Sequence, residues 1–125
     1  MEKVAIVVLS DPKSGGEEAL GRVFNALATA YDCKQRNAAV TLLFLGTGTR
    51  WAAELVNREH PAYQLFTAVK DTVAGVSSGC ADVFGAREGA ATCGLDLLSE
   101  NKVPGTSGLP SLARLVGEGY TVLTF

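Results

Sequence analysis

The stretch Val4-Ala5-Ile6-Val7-Val8-Leu9, followed by Ser10-Asp11-Pro12-Lys13-Ser14-Gly15-Gly16, sets the fold. Its apolar, mostly β-branched residues run without polar alternation, which is how a strand buried on both faces of a parallel sheet reads. The turn residues behind it end the strand within a few positions. Ser14 and Glu17 have capping-box spacing and predict a helix that starts near Gly16. Along that helix Leu20, Val23, Phe24, Leu27 and Tyr31 fall on one stripe, the predicted buried face. The polar residues Lys34 to Asn37 close it.

The same alternation continues down the chain. Val40 to Leu45 is a second buried-strand run. Gly46-Thr47-Gly48-Thr49 then turns into a short helical segment from Trp51 to Asn57. A further helix is expected after His60-Pro61, with Leu65, Phe66 and Val69 as its face. Thr72 to Val76 is a third strand, and Ser77-Ser78-Gly79-Cys80-Ala81-Asp82-Val83-Phe84-Gly85 follows it. Within Arg87 to Gly105, Leu95-Asp96-Leu97-Leu98 reads either as a strand or as a helical turn. Leu109, Leu112, Ala113, Leu115 and Val116 mark a last helix, opened by Ser107 and Pro110 and closed by Gly117 or Gly119. Tyr120 to Phe125 is a terminal strand. Such alternation predicts an α/β fold. It is a three-layer sandwich with a mostly parallel five-stranded sheet and helices on both faces, formed by residues 1–125 as a single domain.

Composition narrows the class of function. With 125 residues, 47% hydrophobic and 19% charged, the chain packs a core and is not a disordered segment. The spare apolar surface predicts self-association. A net charge of −2, with no basic patch, argues against a nucleic-acid partner. No apolar run approaches the roughly 20 residues of a membrane span. The opening run is too short for a secretory signal. Three widely spaced cysteines, Cys33, Cys80 and Cys93, then read as reduced thiols in the cytoplasm.

In parallel sheets, ligands and reactive groups collect beyond the carboxyl ends of the strands. Three loops meet that condition: Ser10 to Gly16, Gly46 to Thr49, and Ser77 to Cys80. Cys80 is the candidate nucleophile, because a strand-to-helix turn sets a thiol against the positive end of a helix. It also reads as a small buried hydrophobe. Ser77, Ser78, Gly79 and the helix-start N–H groups are the expected stabilisers of an anionic sulfur. Gly15, Gly16 and Gly46 are the expected rim. Asp82 opposes thiolate formation if it faces the sulfur. Turned towards the helix start or a neighbouring loop, it is an ordinary helix-start residue, and that reading is preferred.

Rival chemistry finds less support. Gly46-Thr47-Gly48 lacks the third glycine and following acid of a dinucleotide fingerprint, and Ser14-Gly15-Gly16 lacks the lysine of a P-loop. One histidine and three scattered cysteines do not make a zinc site, so no metal is expected. His60 reads as a helix-start residue at the surface, Trp51 as a core or interface anchor, and Arg87 as a solvated cation. Cys33 and Cys93 read as structural, with Cys93 a second thiol only if its loop folds over Cys80.

The Val4–Leu9 strand, the Gly-rich loop with Glu17-Glu18-Ala19-Leu20, the Cys80-Ala81-Asp82-Val83-Phe84-Gly85 segment, and Leu112-Ala113-Arg114-Leu115-Val116 before Thr121-Val122-Leu123-Thr124-Phe125 occur in an order that resembles the DsrE/DsrF-like family, which includes YchN-like proteins. The resemblance spans nearly the whole chain. It implies a sulfur-relay role in which Cys80 accepts sulfane sulfur as a persulfide from a donor protein and passes it to an acceptor protein. It also implies a homotrimer or homohexamer. Thiolate exchange needs no cofactor. Some relatives have CxxC here; Ser77 stands in the place of the first cysteine, which excludes a disulfide cycle within the motif. Phe84 stands where relatives often carry Arg. The resemblance also implies that the Arg87–Gly105 stretch is longer than usual, an addition that either forms a lid or blocks access. The alternatives are a non-catalytic assembly subunit and a small-ligand pocket formed by the glycine loops.

Overall fold

The computed structural model describes residues 2–125. Five strands, β1 (Lys3–Val8), β2 (Ala39–Phe44), β3 (Val73–Ser77), β4 (Leu97–Leu98) and β5 (Thr121–Thr124), form one sheet in the order β4-β3-β2-β1-β5. Every pairing is parallel, so the sheet is wholly rather than mostly parallel. β1 pairs with β2 from Lys3↔Ala39 to Val8↔Phe44, and with β5 from Val4↔Thr121 to Val7↔Thr124. The ambiguous Leu95–Leu98 segment resolves as the edge strand β4.

Six helices, α1 (Gly16–Gln35), α2 (Trp51–Leu55), α3 (Tyr63–Val69), α4 (Ser78–Val83), α5 (Arg87–Thr92) and α6 (Leu112–Gly117), cover both faces unequally. Strand parity shows how. Ile6, Val8, Leu42, Phe44 and Val76 point into a core with residues of α1 to α5. Ala5, Val7, Leu43 and Leu45 point the other way and meet Leu115 of α6, with Leu112, Tyr120 and Val122 alongside. The order explains the imbalance. The connections β1 to β4 step in one direction and right-handed crossovers lay their helices on one face, whereas the return to β5 reverses the step.

Helix α1 corrects two expectations. Ser14 does not cap it; its hydroxyl donates to Asp11 at 2.6 Å, and the N-cap position is Gly15 with no side-chain bond. The buried face is Ala19, Val23, Ala26, Leu27 and Ala30, while Phe24 and Tyr31 stay 41% and 44% exposed. Ile6, Val8, Leu42 and Phe44 already fill the layer, so small residues let the helix approach while the aromatic rings lie outside. The last helix also starts later than expected, with the Ser111 hydroxyl accepting from the Arg114 N–H at 3.1 Å. Ser107 and Pro110 lie outside it.

The turn after β2 sits hard on the end of β1. A side chain at Gly48 would overlap the Val8 carbonyl, so only glycine fits this approach. Trp51 is 2% exposed and donates its Nε1–H to the Ser10 carbonyl at 2.9 Å. It is therefore a core anchor and is not available as an interface residue. Among the described residues, no helix is long and apolar enough to cross a membrane.

Candidate functional site

The carboxyl end of β3 feeds directly into α4. Ser77, the last strand residue, is fully buried, and its hydroxyl accepts the Cys80 N–H at 3.4 Å as the helix cap. That bond fixes the strand-to-helix turn and puts Cys80 on the first turn of α4, where it is partly exposed.

The other expected stabilisers of the sulfur have different partners. The Gly79 N–H donates to the Gly108 carbonyl at 2.7 Å. The Ser78 Oγ lies 2.7 Å from the Ser107 Oγ and accepts from Arg87 at 3.2 Å. Ser107 also donates to Asp82 Oδ2 at 2.6 Å, and Arg87 reaches Asp82 Oδ1 at 3.0 Å. Asp82 thus faces the neighbouring loop. The Ser107 hydroxyl, and then Arg87, hold its carboxyl below the usual carboxylate range. Arg87 is bound within this cluster rather than simply solvated.

Gly46 opens a 3-10 turn over Gly46–Arg50, and that turn packs against the Cys80 helix. Gly15 and Gly16 do not. They begin α1, beyond β1, which is two strands from β3 and so roughly 10 Å across the sheet. Gly15 lines a cleft of about 550 Å³ with Leu9, Asp11, Glu18, Arg22 and Phe125. Gly79, Asp82, Val83, Gly105, Thr106 and Ser107 line a different one.

Arg50 is the residue that sequence reasoning missed. It donates to Asp11 Oδ2 at 3.0 Å and to the Phe84 carbonyl at 3.1 Å, and its guanidinium lies 5.5 Å from the Phe84 ring centroid. One side chain thereby ties the loops after β1 and β2 to the end of α4. Nothing local marks it, because its partners lie more than thirty residues away on either side. The Asp11 carboxyl is held below its ordinary range by the Ser14 hydroxyl first, then by the Lys13 N–H and by Arg50.

Of the other two thiols, Cys33 is partly exposed, as Cys80 is, and Cys93 is buried. Cys93 is 8% exposed and donates to the Ala52 carbonyl at 3.1 Å, and burial pushes its pKa up. Burial, then Asp32 and Glu2, push Cys33 up at the end of α1. His60 is half-buried rather than at the open surface. Its Nδ1 accepts the Ala62 N–H at 3.1 Å, and its ring stands edge-on to Trp51. Among the described residues, no group of three or more His, Cys, Asp or Glu is placed to hold a metal ion.

The model of the DsrE/DsrF-like family matches residues 2–125. The chain belongs to the DsrE/DsrF-like family. That family is associated with sulfur relay. No curated protein and no solved structure matches the chain. In this DsrE/DsrF-like chain, the Cys80 segment occupies the strand-to-helix turn, and residues 106–109 fold against α4.

Proposed function

We propose that this protein is a sulfur carrier of the cytoplasm that holds sulfane sulfur as a persulfide on Cys80. The observation that carries this reading is the position of Cys80: it is on the first turn of α4, past the carboxyl end of β3, and partly exposed, whereas Cys93 is buried and Cys33, also partly exposed, lies near the C-terminal end of α1. The Cys80 thiolate attacks the outer sulfur of a donor persulfide. A Cys80–sulfur bond forms, the donor's S–S bond breaks, and the donor leaves as a thiolate. An acceptor thiolate then attacks the outer sulfur and regenerates the Cys80 thiolate. Both steps are thiolate exchanges and draw on no metal or organic cofactor. The partners are persulfide-donating and sulfur-accepting proteins. Copies of the chain associate as a homotrimer or homohexamer, a reading supported by the exposure of Phe24, Tyr31, Val83 and Val116.

The test is intact and peptide mass spectrometry after incubation with thiosulfate or a small persulfide. One added sulfur atom on Cys80, absent in Cys80→Ser, is expected. No gain under conditions that load a known carrier overturns the proposal.

A second reading has its own support. The Ser78 hydroxyl and the Gly79 N–H are engaged by the 107–108 segment rather than by the sulfur, which suits a non-catalytic assembly or ligand-binding subunit. Under that reading, Cys80 is alkylated no faster than Cys33.

A further inference from the structure

The segment 101–109 folds back on itself. The Asn101 N–H donates to the Leu109 carbonyl at 2.8 Å and the Leu109 N–H to the Asn101 carbonyl at 2.9 Å, closing a small hairpin. Its legs are anchored. Gly108 and Pro110 are buried, and Gly108, with φ +105°, lies too close to Ser99 for any side chain. Its tip packs on the helix only through Thr106, which lies against Gly79. Lys102 and the run Pro104 to Ser107 are exposed. The tip stands off α4 across a cleft of about 440 Å³ whose rim includes Val83, 73% exposed. Hydrogen bonds also join hairpin to helix: Ser107 to Asp82 and Ser78, and the Gly108 carbonyl to the Gly79 N–H. Gly79 is glycine because a Cβ there would press on Leu109 and Gly108, which would hold the hairpin away.

These contacts flank Cys80 on both sides in sequence, at residues 78, 79 and 82. We propose that the 101–109 hairpin is a lid latched to the first turn of α4, and that releasing Ser107 from Asp82 and Ser78 loosens that turn and raises the reactivity of Cys80. Leu109 and Thr106 pack on Gly79, but the Ser107–Asp82 tie is exposed, and an exposed polar tie under an exposed tip marks a segment that opens before global unfolding. With the lid open, the Cys80 turn keeps only the long Ser77 bond at its cap. A partner protein that engages the hairpin tip would therefore loosen the turn that carries Cys80 at the moment of transfer. The inference deepens the sulfur-carrier reading and rests on Cys80 being the reacting thiol.

The test compares the full chain with Ser107→Ala and Ser107→Thr by two measurements. The first is hydrogen exchange of the Gly79 amide. The second is the iodoacetamide labelling rate of Cys80, with Cys33 as internal reference. Loss of a hydrogen bond to a carboxylate is expected to speed both in Ser107→Ala by about fivefold or more. If both pass through one opening, the factors are equal. Ser107→Thr keeps the hydroxyl and leaves both near the original rates. Faster Gly79 exchange with unchanged Cys80 labelling overturns the proposal, and so does no change in either. Iodoacetamide labels the free Cys80 thiol, a reaction that does not depend on whether the protein can take up sulfur. Failure of sulfur loading in the mass-spectrometric test would therefore leave this result standing, and the reverse also holds.

Discussion

Two segments lean on α4, and they are held in different ways. The Gly46–Arg50 turn is built into the core: Gly48 and Thr49 are buried, Trp51 follows at 2% exposure, and Arg50 and Asp11 form a half-buried pair. The 101–109 hairpin has an exposed tip, tied down through Ser107 to an Asp82 that also pairs with a half-exposed Arg87. Both contact the helix that carries Cys80. The first works as a fixed clamp and the second as a lid. The difference comes from desolvation: a polar tie that stays wet exchanges almost evenly with water, whereas one with apolar backing cannot be lost without exposing its surroundings.

The largest test of this contrast is Gly48→Ala. Its methyl would meet the Val8 carbonyl, and neither backbone can move without disturbing the β1–β2 register. A loss of about 3 kcal/mol is expected in urea unfolding, with the slope unchanged. A near-neutral result would mean that the turn is as loose as the lid. Next comes Arg50→Met, which leaves Asp11 without its cation and α4 without its tie to the Phe84 carbonyl. It is expected to destabilise less than Gly48→Ala.

The same variant sharpens the comparison through pH. The folded pKa of Asp11 lies below its ordinary value, so Asp11 contributes stability above the ordinary carboxylate range. That contribution is lost as pH falls through the lowered value. Arg50→Met removes only the smaller share of that lowering, since the Ser14 hydroxyl and the Lys13 N–H still bind the carboxylate. The acid limb of its stability curve should therefore be slightly shallower than in the parent protein, as read from melting temperatures across acidic pH. The smallest global effect belongs to Ser107→Ala. It is expected to cost no more than about 1 kcal/mol overall, while local opening at Gly79 changes severalfold. A large global loss would show the lid to be part of the core.

Sequence reading succeeded where the information is local. The apolar runs at Val4, Val40 and Thr72 became strands, and Ser77-Ser78-Gly79-Cys80 became a strand-to-helix turn, because strand propensity and the end of a run are properties of neighbouring residues. It failed where two partners compete for one group. Ser14 had capping-box spacing but lies within reach of Asp11, which won. Phe24 and Tyr31 shared the apolar stripe of α1, but the side chains of the sheet already filled the space beneath. Ser107 was assigned to the start of the last helix and instead joins Asp82, twenty-five residues earlier.

From the order of residues alone came the α/β alternation, the parallel sheet, family membership and the thiol at the end of β3. Each rests on periodicity and motif spacing, which are written along one dimension. The strand order β4-β3-β2-β1-β5, the Arg50 tie, the separation of Gly15 from Cys80 and the latch of Ser107 on α4 emerged only from packing in three dimensions. Those contacts join residues far apart in the chain. Their free energy depends on which surfaces are already buried, and a linear pattern does not encode that.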